Sequence, residues 1–295
     1  METEHVLGSA RNGPRLVLDD YLPQDKSPRT RCCSRLMYLI TSICLATDIE
    51  ALITANPEEI YLTSAQQWTA LHMICVCIDS INAKRLIKVA RMLIQAGIDI
   101  NAQDNTGHTA LMRLVGVLAM YPTAIDTIIE LFNILISLCD VNLKNRDGFT
   151  ALHLYYLKGG RDDRVVQSIL DAEFNLESKT KEGDTVLMIL MKQCWRSVSY
   201  QTKQHVRALI AKGANIDAQD REGNTALHAV ATDHGDDPVR FLLECKANPN
   251  IRNNRGQTPI MICHPRVIEH REVIYLLHKA GATDSPQSYR ICSIM

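Results

Sequence analysis

The sequence predicts an all-α array of about seven helix-turn-helix units, and three observations predict it. A tetrapeptide recurs as Thr-Ala-Leu-His at Thr69, Thr150 and Thr225, Thr-Ala-Leu-Met at Thr109, Thr-Val-Leu-Met at Thr185 and Thr-Pro-Ile-Met at Thr258. Successive threonines are 40, 41, 35, 40 and 33 residues apart. A glycine stands two residues before five of them, at Gly107, Gly148, Gly183, Gly223 and Gly256, and a Leu/Ile-rich run precedes each. Self-similarity at a near-fixed period marks a stack in which each unit exposes an apolar face that only its neighbour covers.

Composition agrees. Of 295 residues, 46% are hydrophobic and only 5% aromatic, so Leu, Ile, Val and Ala must fill many thin layers rather than one thick core. The 32 basic and 33 acidic residues nearly cancel, which gives no electrostatic reason to expect nucleic acid. Lys26, Arg29, Arg31 and Arg35 form one small basic cluster, read as a solvated tail. Ten cysteines lie scattered without a paired framework, no Asn-x-Ser/Thr site occurs, and the N-terminus lacks an apolar signal core. These features place the chain in a reducing, cytoplasmic setting. No apolar run is long enough to span a bilayer.

Within each unit the elements follow in order. The glycine, after a polar pair such as Asn105-Thr106 or Arg221-Glu222, supplies the positive φ of a tight turn. Threonine then caps a first helix, whose apolar residues recur at helical spacing, as in Leu71, Ile74 and Cys75. A second helix carries the Leu/Ile face and closes on a glycine such as Gly97, Gly213 or Gly281.

Three copies close in a near-consensus phrase: LIQAGIDINAQD from Leu93, LIAKGANIDAQD from Leu209 and LLECKANPNIRN from Leu242. Here the chain resembles the ankyrin-repeat family, whose period is about 33 residues. The resemblance covers residues 34–284, with a degenerate first repeat at 34–63, a flexible tail at 1–33 and a C-terminal tail at 285–295. It implies a solenoid of about seven units, several with inter-helix insertions, that binds a protein partner. A monomer is expected, with no cofactor.

Departures from the pattern are informative. Leu138, Glu173 and Lys246 stand where Gly97 and Gly213 end a helix, so each either takes the left-handed conformation or reshapes its loop. Gln67-Trp68 stands where the first turn lacks its glycine. The fourth tetrapeptide position alternates His72, Met112, His153, Met188, His228, Met261. Three histidines a whole repeat or more apart cannot converge on one ion, and the resemblance implies that they bind turn backbone instead.

The surplus over the basic period is read as falling between the two helices, at 78–85, 119–126 and 193–203. Insertions in solenoids map to loops on one face, often a binding face; the simpler reading is that they lengthen the helices and that Trp195 packs onto its own repeat. The last carries Trp195, Arg196 and Tyr200, an aromatic-arginine composition typical of contact hot spots. The other candidate surface is the row of turn tips: Asn105, Asn145, Arg146, Lys181, Arg221 and Asn253. The resemblance further implies that Asn101, Asn142 and Asn250 are candidates for asparaginyl hydroxylation; the simpler reading is that they cap turns.

The chain ends Cys292-Ser293-Ile294-Met295, a prenylation signal of the farnesyl type, behind a short polar stretch. It implies a lipidated Cys292 at the cytosolic face of a membrane, and the combination looks like a host-directed effector. One prenyl group binds membranes only marginally, so a second signal is required. No polybasic run supplies it. The competing classes are a ubiquitin-ligase substrate receptor and a soluble scaffold without lipid. The first lacks an F-box pattern: only Leu22-Pro23 precedes the array. An enzyme is excluded as the leading class, because no phosphate loop, Cys-x-x-Cys, His-Glu-x-x-His or Gly-x-Ser-x-Gly occurs.

Overall fold

The structure is a computed structural model that describes residues 34–42, 46–79, 81–120, 125–194, 197–233, 235–263 and 268–285. Fourteen α-helices and no strand occur among the described residues. They form seven consecutive pairs: α1 (Arg35–Thr41) with α2 (Ala46–Ala55), α3 (Ala70–Cys77) with α4 (Ala83–Gln95), α5 (Ala110–Met120) with α6 (Ile125–Leu138), and α7 (Ala151–Leu157) with α8 (Asp163–Asp171). Then come α9 (Val186–Lys192) with α10 (Tyr200–Ala211), α11 (Ala226–Asp233) with α12 (Asp236–Glu244), and α13 (Pro259–Ile262) with α14 (Ile268–Lys279). A 3₁₀ turn at Pro57–Tyr61 follows α2.

First helices pack in one row, α1 on α3 and onward to α13, and second helices in another. The apolar spacing explains the layering. Leu71, Ile74 and Cys75 of α3 are fully buried, and Leu86, Val89, Ala90 and Leu93 of α4 face them across the pair. The same buried set recurs as Leu227 and Val230 on α11 against Val239 and Leu242 on α12.

Threonine begins the first helices as its chemistry dictates. The Thr109 and Thr185 hydroxyls accept from the N–H groups of Met112 and Met188, at 3.3 and 3.5 Å. At the helix-ending positions the three non-glycines behave differently. Lys246 keeps the left-handed geometry at φ 71°, while Leu138 and Glu173 do not. Leu138 stays inside α6, and the turn after α8 closes at Ala172, whose N–H bonds Ser168 and Ile169. Gln67 takes φ 61°, the conformation that glycine holds in the five later turns.

The insertions divide between helix and loop. Residues 83–85, 119–120 and 125–126 are helical, so much of the surplus lengthens helices. The reason is visible in the packing: Val117, Leu118 and Ile125 are buried, so the apolar period runs on past the usual helix length. Among the described residues, connecting segments remain at 78–79, 81–82, 193–194 and 197–199.

Candidate binding surface

Each unit from the second onward begins in a tight finger. The backbone N–H of its first residue donates to the carbonyl four residues on: Ser64 to Trp68, Asp104 to His108, Asn145 to Phe149, Thr180 to Asp184, Asp220 to Asn224 and Asn253 to Gln257. The first side chain closes the finger from within. Asp104 Oδ1 accepts from the N–H groups of Thr106 and His108, and Asn145 and Asn253 do the same.

Successive fingers are joined by a backbone ladder. Asn105 donates to Gln66, Arg146 to Thr106, Lys181 to Asp147, Arg221 to Glu182 and Asn254 to Glu222, all at 2.9–3.1 Å. Close backbone approach is possible because Gly107, Gly148, Gly183 and Gly223 lack a Cβ. At Gly183 one would sit 2.5 Å from the Arg221 nitrogen.

Two side-chain ladders run beneath. In one, Gln103 donates to the Lys144 carbonyl, Lys144 to Lys179, Lys179 to Gln219 and Gln219 to Arg252. In the other, Asn101 accepts from the Asp140 N–H, Asn142 from Asn175, Glu177 from Asn215, Asp217 from Asn248 and Asn250 from Thr283. The three asparagines singled out for hydroxylation are thus hydrogen-bonded to the next repeat. The ladders fix finger spacing across the whole array, so the tips form a preset row rather than independent loops.

The tip residues divide. Asn105, Arg146, Lys181 and Arg221 project into solvent. Asn145 and Asn253 are 7% and 9% exposed and point into their own turns, so they shape the surface without presenting to it. Sequence reasoning missed this because an Asx turn and an exposed tip share the same composition. Trp195, Arg196 and Cys292 lie outside the described residues, as do the basic residues at 26–31. Tyr200, at the start of α10, is exposed.

Between fingers and first helices in the last three repeats lies a groove of about 510 Å³. Ala229 and Ile262 floor it; Lys192, Asp220, Glu222 and Arg255 charge its rim. A second cleft, about 610 Å³, opens between the third and fourth repeats, where Leu138 and Glu173 replace the helix-ending glycine. Ile136 and Val141 line it beneath Asp140, Asp171 and Glu173.

The histidines at 72, 153 and 228 are buried and serve the fold. Thr69, Thr150 and Thr225 each donate a backbone N–H to the Nδ1 of the histidine three residues on. His72 Nε2 then bonds the His108 carbonyl, and His228 Nε2 that of Gln257, both at 3.0 Å. Burial pushes all three rings below their ordinary pKa, His153 to about 4. No group of three metal-ligating side chains occurs among the described residues. At the first finger, Arg113 stacks 5.1 Å over Trp68 and pairs with buried Asp104. Burial raises the Asp104 carboxyl, but hydrogen bonds from Thr106 and Arg113 outweigh it and hold the group at about 2. No helix among the described residues is long and apolar enough to cross a membrane.

Comparison with known proteins places this arrangement. Family models described as ankyrin repeats match residues 66–105 and, in three copies, 194–286. An intracellular phospholipase A2 of Caenorhabditis elegans is 28% identical over 156 residues, covering 51% of this chain. The chain spans only 14% of that relative's length. Among solved structures, the ankyrin-repeat domain of Bcl-3 matches with a TM-score of 0.62 and 22% identity, over 82% of this chain and 97% of that one. A chain from the complex of a predatory endopeptidase of Bdellovibrio bacteriovorus with an immunity protein matches at 0.53 and 25% identity, over 74% and 99%.

Proposed function

Since this chain is an ankyrin-repeat solenoid, we propose that it is a protein-binding scaffold tethered to a membrane by a farnesyl group on Cys292. The scaffold class follows from the fold, which is generally a non-enzymatic interaction module. One observation carries the partner site: the backbone ladder from Gln66 to Asn254, which holds Asn105, Arg146, Lys181 and Arg221 in a preset row. A preset surface loses little conformational entropy on binding, which is what a recognition face requires. The predatory endopeptidase and its immunity protein form a complex, which accords with this reading. The phospholipase relative does not argue for catalysis here, because the chain matches a small part of it.

The tether rests on the terminal Cys-Ser-Ile-Met, and a host-directed effector role rests on that signal together with the insertions. Intact mass after expression in a eukaryotic cytosol tests the tether. A farnesyl-sized gain that disappears in Cys292→Ser supports it, and no gain leaves a scaffold without lipid. Proximity crosslinking tests the face: Arg146→Glu with Arg221→Glu should abolish capture of the partner, while unchanged capture would move the site off the tips.

A further inference from the structure

The turns after α6 and α8 differ from the others. Ile98, Ala214 and Ala247 fold back to donate to the carbonyls of Leu93, Leu209 and Leu242, whereas Cys139 donates to Leu135 and Phe174 to Ala172. Between these two reshaped turns lies the cleft of about 610 Å³. Ligand clefts occupy roughly 300–1,000 Å³. This one shares no residue with the finger tips or with the groove of the last three repeats.

Ile136, Val141 and Ala172 give the cleft an apolar wall, and every charged side chain that lines it is acidic: Asp140, Asp171 and Glu173. All three acids are exposed. Asp140 accepts the Asn142 N–H and Asp171 the Gln167 amide, but none of the three meets a cation among the described residues. Other acids of α6 are paired across the array, Glu130 with Arg91 and Asp126 with Arg164. The cations nearest in sequence are committed elsewhere. Lys144 Nζ donates to the Lys179 carbonyl, and Arg164 holds Asp126 and Asp162. Carboxylates of one sign around an apolar wall focus a negative field and raise the local concentration of cations.

We infer that this cleft is a second docking site, and that its occupant is a segment of a partner protein carrying an aliphatic side chain flanked by lysine or arginine. The sign of the rim sets the flanks, and the wall sets the centre. An aliphatic group laid on Ile136 and Val141 displaces water beside the carboxylates, which strengthens their attraction for the flanking cations. The site stands apart from the finger row and needs no lipid.

Fluorescence polarisation of a labelled synthetic peptide, Lys-Leu-Lys-Leu-Lys, tests it on the full chain, with Glu-Leu-Glu-Leu-Glu as the control. The lysine peptide should bind, less tightly at high salt, and the glutamate peptide should not. Asp171→Asn with Glu173→Gln should weaken binding by about tenfold. Ala172→Lys, which puts the chain's own cation in the cleft, should weaken it to a similar degree. Both variants should melt at the parent temperature. Arg146→Glu with Arg221→Glu, the variant that tests the tips, should bind the peptide as the parent does, so the two faces are read separately. Absence of peptide binding, equal binding of the glutamate peptide, or binding that ignores both cleft variants overturns the inference and leaves the finger row as it was.

Discussion

His72 Nε2 donates to the carbonyl of His108 at 3.0 Å while its Nδ1 accepts from the Thr69 N–H at 3.2 Å. One neutral ring thereby closes its own helix and fastens the next repeat's finger. His228 repeats the arrangement with Gln257 and Thr225. A proton on the second nitrogen would destroy the acceptor.

That requirement makes the fold acid-sensitive. Burial holds His153 at about 4 and lowers His72 and His228, whereas the unfolded chain protonates near the ordinary value of 6.5. Between those values the unfolded state binds more protons, so stability is complete above the unfolded value and falls as pH drops toward the folded one. The urea midpoint should therefore decline from pH 7 to pH 4.5. His153→Met, the residue type at Met112 and Met188, should remove up to roughly 3 kcal/mol of that loss. A variant whose midpoint tracks the parent at every pH would contradict the assignment.

Asp104 does two jobs, accepting backbone N–H groups within the finger and pairing with Arg113. Asp104→Asn retains the first, as Asn145 does natively, and should cost about 1 kcal/mol. Asp104→Ala loses both and strands Arg113 and two N–H groups, at about 3 kcal/mol. Equal costs in chemical denaturation would show that the ion pair is all that matters.

Lys246 and Leu138 occupy the same repeat position with different backbones, φ 71° and helical respectively. Lys246→Gly should stabilise by about 1 kcal/mol by relieving the left-handed strain. Leu138→Gly should destabilise by about 0.5–1 kcal/mol, since it introduces glycine into a helix. Melting temperatures moving in opposite directions are the expected result.

Gly183 and Gly256 distinguish backbone strain from steric contact. Both have positive φ, but a Cβ at Gly256 meets nothing within 4 Å, while at Gly183 it meets the Arg221 nitrogen. Gly256→Ala should cost about 1 kcal/mol. Gly183→Ala must also push neighbouring fingers away from each other, breaking the ladder bond between Arg221 and Glu182. It should cost clearly more, and hydrogen exchange at Arg221 should accelerate only in that variant.

The repeat, its helix order and the caps were legible because each rests on a local rule: Thr at a helix start, glycine at positive φ, apolar residues at helical spacing. Gln67 shows the limit. Nothing in a glutamine announces φ 61°; it goes with a turn closed by the bond from the Gln67 N–H to the Ser64 carbonyl. Asn145 reads as an exposed tip until the turn closes around it. The lysines at 144 and 179 look like ordinary surface charge, and only the adjacent repeat reveals them as ladder donors.

The strong helix contacts all join elements of one unit or of adjacent units. Tension applied to the two ends has no long-range tie to break at once. The array should open like a zip, with force spectroscopy recording a series of small, similar extensions instead of a single large rupture, and should close again from whichever units remain intact.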